Sequence, residues 1–294
     1  MDQSLTVIRE KISAYESPQK SALSFRYPIL QKPIVFFRRT LRSLKNYLTL
    51  GFGLQKRTFY ENVVARHSSI LLRKLGESDM RFQENKVTNL KIAIEKINGK
   101  VIPPGGTFSL WHELGRTTTK RGYVSGMLLS NGKVSEGVGG GLCQLSNFLF
   151  WIFLHTDTKI LERHHHSVDA FPDSGRTLPF GSGATIFRNY LDLRIQNISD
   201  QPFQIKLWLT ETCLKGQILS DRPQEKKFHV LEKNHCFVKK GEKFFRFNEL
   251  FRETRIRGWL EKEEKIVTNF APVIYFLDQE KLRREGYFFL EEMS

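Results

Sequence analysis

The stretch "EGVGGGLCQLSNFLFWIFLH", Glu136 to His155, sets four glycines before a cysteine and an almost wholly apolar run. From Leu142 to His155 the run is too long and too apolar for an ordinary strand. A helix that is hydrophobic on nearly every side must be buried, so this segment predicts a central helix. No Gly-Lys-Ser/Thr follows the glycines, which excludes a phosphate-cradling P-loop. A dinucleotide fold needs a strand before the glycines and an acidic residue about 20 positions later in a repeating βα pattern, and that context is also missing. Gly137, Gly139, Gly140 and Gly141 therefore predict a sharp turn where backbone approaches a ligand or another strand. Cys143 would sit in the first helical turn, where unpaired N–H groups and the helix dipole favour a nucleophilic thiolate. The competing reading is a buried packing cysteine.

Working outward, Val87, Leu90, Ile94 and Ile97 form one apolar stripe, which predicts a helix over 84–98 stopped by Asn98-Gly99. "VIPPGGTFSLW" reads as a turn leading into a strand, and residues 123–131 before Gly132 as another strand and turn. Further strands are expected at 159–168, 184–197 and 202–213, and residues 222–294 are expected to add strands packed on the core. The fold class is α+β, with the buried cysteine-bearing helix on a mainly antiparallel sheet. Three parts are expected: a basic arm and amphipathic helix over 1–60, a core over 61–221 and an extension over 222–294.

The chain carries 46 Lys and Arg against 31 Asp and Glu, a net charge of +15. Residues 1–60 hold 11 basic and three acidic residues, so +8 of that excess falls in a fifth of the chain. The first 30 residues, with Pro18 and Pro28, read as a loose arm. Ile34, Phe37, Leu41, Leu44 and Leu48 then repeat at helical spacing, with Arg38, Arg39, Arg42 and Lys45 on the other faces. Residues 34–50 suit either the protein's own core or an anionic membrane surface. Nucleic acid has only the charge behind it and no motif. Three cysteines, Cys143, Cys213 and Cys236, cannot build a secreted disulfide framework. With no secretory leader read at the N-terminus and no apolar window of about 18 residues, the chain reads as cytoplasmic or peripheral.

A cysteine nucleophile needs a base and a group to orient it. "ERHHHS" supplies His164, His165 and His166; in an extended strand His164 and His166 share a face. The following "GATIFRNYLDLRIQN" offers Thr185, Asn189 and Asp192 as the third group. The alternative chemistry is zinc on Cys143, His164 and His166. Neither Cys-x-x-Cys nor His-Glu-x-x-His is present, since "HELGR" at 112–116 lacks the second histidine. No cofactor is called for.

Taken in order, "RFQENKVTNLKIA", "IPPGGTFSLW", "SNGK", "GVGGGLCQLSNFLFW", "ERHHHS" and "GATIFRNYLDLRIQN" resemble the VanW family over roughly residues 81–221. The family is an accessory of glycopeptide resistance, and some members act as L,D-transpeptidases through the motif cysteine. The resemblance implies Cys143 as nucleophile, His166 as its base and Asp192 as the family's late aspartate. It implies peptidoglycan stem peptides as substrate, with the Gly140–Gln144 turn holding the oxyanion. Gly139, Gly140, Gly141, Gln144, His164 and Thr185 would line the peptide site. One departure is Gly183, where many relatives place an aspartate. Wall cross-linking would also require a route of export.

Overall fold

The computed structural model describes residues 2–17, 29, 31–51, 53–72, 80–130, 133–170, 172, 177–188 and 190–291. Asn189 and Gly132 lie outside the described residues. The apolar run forms the helix expected of it, α5 (Cys143–Leu154), with Leu145, Phe148, Leu149, Phe150, Ile152, Phe153 and Leu154 all buried. It lies on a four-stranded antiparallel sheet of order β1-β9-β8-β2, built from β1 (Asn62–Ile70), β2 (Val101–Ile102), β8 (Phe203–Leu209) and β9 (Cys213–Ser220). Gly216 makes this contact close, because a methyl group there would stand 2.9 Å from the Phe148 ring and 2.7 Å from Leu207. The absence of a side chain lets an aromatic ring of the helix lie directly on the sheet.

The stripe read over 84–98 is α3 (Met80–Ile97), which buries Leu90, Ala93, Ile94 and Ile97 in the same core. A second sheet, β3-β7-β6, joins β3 (Thr107–Ser109), β7 (Arg194–Asn197) and β6 (Thr158–Glu162). The strand expected after the Pro-Gly turn is cut short at Ser109, whose hydroxyl caps a one-turn helix, α4 (Leu110–Leu114), by accepting from the His112 N–H. Residues 123–131 give β4 (Ser125–Ser130), paired in a hairpin with β5 (Lys133–Val138).

Two expected strands are shorter than their sequence suggests. The one read at 159–168 ends at Glu162, so His164–His166 lie beyond it and the alternating-face argument does not apply to them. The one read at 184–197 is regular only from Arg194. In its first half Ala184 bonds to side chains of α5, Thr185 to His164 O and Phe187 to Leu191 O, in place of a strand ladder.

The C-terminal residues form a separate sheet, β12-β11-β10-β13, from β10 (Lys226–Lys240), β11 (Lys243–Ile256), β12 (Trp259–Pro272) and β13 (Phe288–Glu291), with a short helix α6 (Gln279–Arg284) before the last strand. Only β13 runs parallel to its neighbour. The first 30 residues are not wholly a loose arm. Asp2–Glu16 form α1, because Ile8 and Ile12 are buried against Cys236, Val238, Phe245 and Phe247 of this sheet. The basic segment forms α2 (Gln31–Leu50). Among the described residues no helix is long and apolar enough to cross a membrane.

Candidate functional site around Cys143

The glycine turn is built by backbone contact. A methyl group on Gly140 would sit 2.2 Å from the carbonyl carbon and oxygen of Gly126 in β4, so turn and hairpin touch backbone to backbone. Gly139 and Gly141 have φ of 81° and 88°, the left-handed region in which glycine carries no side-chain penalty. The turn is fastened by α3: Asn89 Nδ2 donates to Gly140 O at 2.9 Å and to Val124 O at 3.0 Å, and its Oδ1 accepts from Val124 N–H at 2.9 Å. Buried Lys86 packs across Gly141 and donates to Leu71 O and to Gln83. Of the two readings the sequence left open for the glycines, close approach to another strand is the one realised.

The same backbone bonds narrow the oxyanion assignment to part of the Gly140–Gln144 turn. Gly139 N–H donates to Val124 O, Gly140 to Gly137 O, Gly141 to Met127 O and Gln144 to Gly141 O, each at 3.0 Å. Among the described residues, the N–H groups of Leu142 and Cys143 are the ones in this turn with no backbone oxygen as acceptor. The Gln144 side chain is also committed, donating to Ser69 Oγ at 3.0 Å and to Ile70 O at 2.7 Å, and so ties the helix to β1.

Cys143 occupies the first turn of α5, as the sequence indicated, and is half-buried. Residues 183–186 run along its helix. Ser146 Oγ donates to Ala184 O, Asn147 Oδ1 accepts from Ala184 N–H at 2.7 Å, and Ile186 N–H donates to the Cys143 sulfur. Burial nevertheless pushes the thiol up from its ordinary value, with the N–H groups of Ile186 and Cys143 itself opposing the rise. That direction runs against the dipole-lowered thiol expected from the sequence. Desolvation of the charged form outweighs these two N–H groups, which favours the thiol as the resting group.

The histidines reach this site through one backbone bond, Thr185 N–H to His164 O at 2.7 Å. Their side chains diverge. His164 Nε2 meets Glu162 Oε1 at 2.9 Å, on the side where Arg42 of α2 also holds Glu162. His166 is pushed down from 6.5 to about 4 by burial, then by the positive charge of Arg163 and by His165, so it is neutral near pH 7 and able to accept a proton. Arg163 is fixed over the Phe150 ring at 5.2 Å and donates to Gly183 O at 2.8 Å, to Gly181 O and to Asn269 of β12. Among the described residues no three His, Cys, Asp or Glu gather as a metal-binding cluster. Cys143, His164 and His166 thus do not converge, which overturns the zinc reading.

The Asp192 N–H donates to Glu162 Oε1 at 3.0 Å, the oxygen that meets His164, but its carboxylate is engaged elsewhere. Its side chain is fully buried and accepts from Ser109 Oγ at 2.5 Å, Trp111 N–H at 3.0 Å and Leu193 N–H at 2.9 Å. It fastens the start of α4 to β7, and none of these bonds goes to His166. At Gly183 a methyl group would stand 2.7 Å from Asn147 Oδ1, so in this chain the Asn147 carboxamide fills the space that a residue-183 side chain would need. The Thr185 hydroxyl is buried with no hydrogen-bond partner.

The sequence reading missed Asn147 and Ser146, although they and Gln144 are the only polar residues within an otherwise apolar helix after Cys143. It also missed a second histidine group. The His67 ring lies 4.9 Å from Phe148 and 6.4 Å from Trp151, and His155 lies 5.4 Å from Trp151. Burial, then His155, pushes His67 down from 6.5 to about 4. His67 and His166 are thus neutral when folded and titrate near 6.5 when unfolded. Between those values the unfolded chain binds more protons, so this contribution is complete above pH ~6.5 and is lost as pH falls toward ~4. Urea unfolding at pH 7 and pH 4.5 is expected to show a lower midpoint in acid, with each histidine contributing at most ~3 kcal/mol. His67→Gln is expected to reduce the difference.

The family model described as "VanW like protein" matches residues 85–219, which hold α3, the glycine turn, α5, the histidine segment and β9. The Vancomycin B-type resistance protein VanW of Enterococcus faecalis is 37% identical over 163 residues, covering 55% of this chain and 59% of that protein. The Uncharacterized protein YoaR of Bacillus subtilis is 33% identical over 121 residues, covering 40% of this chain and 37% of that protein. The matches therefore span little more than half of one curated relative and about a third of the other. No solved structure matches the chain. Residues 85–219, with their glycine turn, cysteine helix and histidine segment, thus form a VanW-like domain.

Proposed function

We propose that this chain serves glycopeptide resistance by acting on peptidoglycan stem peptides, as an L,D-transpeptidase with Cys143 as nucleophile. The observation that carries the reading is the surroundings of Cys143. A half-buried thiol stands at the start of a fixed helix, beside the N–H groups of Leu142 and Cys143 that have no backbone acceptor. Two such donors at the N-terminus of α5 suit the oxyanion of a tetrahedral intermediate. The Thr185 hydroxyl, buried and unpartnered, is a candidate contact for the substrate backbone.

In the first step the Cys143 sulfur bonds to the carbonyl carbon preceding a terminal D-residue, and its proton passes to His166. The C–N bond then breaks, and His166 returns the proton to the departing amine. In the second step the amine of another stem attacks the thioester, an amide forms, and the sulfur leaves with a proton. Water in place of that amine would give a carboxypeptidase. Because the resting groups are a thiol and a neutral imidazole, the transfer depends on bound peptide drawing His166 to the sulfur. Cys143→Ala and Cys143→Ser are expected to remain folded and to lower cross-linking at least ~1,000-fold. Full activity in Cys143→Ala would remove the nucleophile.

The second reading is a non-catalytic accessory that binds a wall peptide or partner. The raised Cys143 thiol and the commitment of Asp192 to α4 favour it. It predicts peptide binding unchanged by Cys143→Ala with no turnover in either protein.

A further inference from the structure

The helix α2 faces the wrong way for a segment that completes its own core. Its inward side carries Val35, Arg39, Arg42 and Asn46, spaced four, three and four residues apart. Arg42 donates to Glu162 and to Tyr190 O at 2.8 Å, the Arg39 guanidinium stands 5.4 Å from the Phe187 ring centre, and Asn46 is buried. The apolar stripe instead faces solvent: Phe36 is 72% exposed, Phe37 62%, Leu44 54% and Leu48 73%, with Leu41 and Tyr47 near half. Exposed aromatic and aliphatic residues at this density mark an interaction surface.

Charge decides what covers it. The 20 residues of α2 contain five cations and no acid, and Lys32, Arg38 and Lys45 are exposed beside the stripe. Next to α2, the loop at 187–190 exposes Phe187 and Tyr190. Arg188 stands among Arg39, Arg116 and Arg121; burial first, then their repulsion, lowers its guanidinium. Lys96 is lowered in the same way by burial and by Arg121. Apolar residues projecting from a cationic field match a bilayer whose headgroups are anionic and whose interior is hydrocarbon.

We propose that α2 docks in the plane of an anionic lipid bilayer, with Phe36, Phe37, Leu41, Leu44 and Leu48 inserted and the flanking cations on the headgroups. Arg42 then joins the docked helix to Glu162 and, through it, to the segment carrying His164. The candidate site is thereby held at a membrane surface. This inference does not depend on the chemistry assigned to Cys143.

The test is co-sedimentation of the full chain with vesicles of phosphatidylcholine alone or mixed with phosphatidylglycerol. Binding to the mixed vesicles is expected at low salt, falling about tenfold or more at ~0.5 M salt as the charges are screened. Leu44→Glu/Leu48→Glu is expected to abolish it, and Arg38→Glu/Lys45→Glu to weaken it about tenfold or more. Every changed residue is exposed, and near-UV circular dichroism checks that both variants stay folded. Equal binding to neutral vesicles, or binding to neither, would overturn the proposal. So would a wild-type dimer that leaves vesicles unbound and becomes monomeric in Leu44→Glu/Leu48→Glu, because a second copy would then cover the stripe.

Discussion

Gly140→Ala is expected to destabilise the protein by about 3 kcal/mol or more, at the upper end of overpacking changes. The added methyl group meets the Gly126 carbonyl group at 2.2 Å and its Cα at 2.7 Å, and backbone cannot rotate away as a side chain can. Relief requires the turn and β4 to separate. That would strain the bonds from Gly139 to Val124 O and from Gly141 to Met127 O, together with the Asn89 bond to Gly140 O. Each of these is worth ~1 kcal/mol when intact. Gly105→Ala is the comparison: open space surrounds it, so only its φ of 72° is strained, and a cost near ~1 kcal/mol is expected. Thermal unfolding of the two variants side by side separates backbone collision from backbone strain. A Gly140→Ala protein as stable as Gly105→Ala would contradict the packed turn.

The second large effect concerns Asp192. Asp192→Ala removes the acceptor for Ser109, Trp111 and Leu193 in a fully buried position. Each stranded donor costs ~1–3 kcal/mol, so a total near ~4 kcal/mol is expected. Asp192→Asn keeps one carbonyl oxygen for the two backbone donors, and the Ser109 hydroxyl can turn to accept from the new amide. Its cost is expected near ~1 kcal/mol. Denaturant unfolding gives these numbers. If Asp192 instead oriented His166, Asp192→Asn would leave stability unchanged and lower activity, which is the opposite pattern.

The contrast between these two positions explains what was legible in the sequence. The cysteine helix could be read because ten apolar residues in a run of fourteen have one physical solution, burial, and α5 follows it closely. The glycine turn was legible as a turn, but only the fold shows that the close neighbour is Gly126. Asp192 gave no local signal, since its partners Ser109 and Trp111 lie more than 80 residues away in the chain. In α2 the period was right, and the face left open between core and membrane surface turns outward. Periodicity alone does not choose between them, whereas Glu162, distant in sequence, draws Arg42 inward. The histidine segment was misread for a similar reason: its hydrogen bonds go to Thr185 and Glu162, so it leaves the strand pattern at Glu162. The absence of a side chain at Gly183 is read only against Asn147, which fills the space on the facing helix.

The central claim is that the Cys143 sulfur takes an acyl group from a wall peptide. Intact-protein mass spectrometry after incubation with a stem tetrapeptide tests it most directly. The account predicts an adduct of the tripeptide acyl group, with the terminal D-residue released, mapped by proteolysis to Cys143 and missing in Cys143→Ala. An unmodified protein beside uncleaved peptide, or an adduct carried on Cys213 or Cys236, would contradict it.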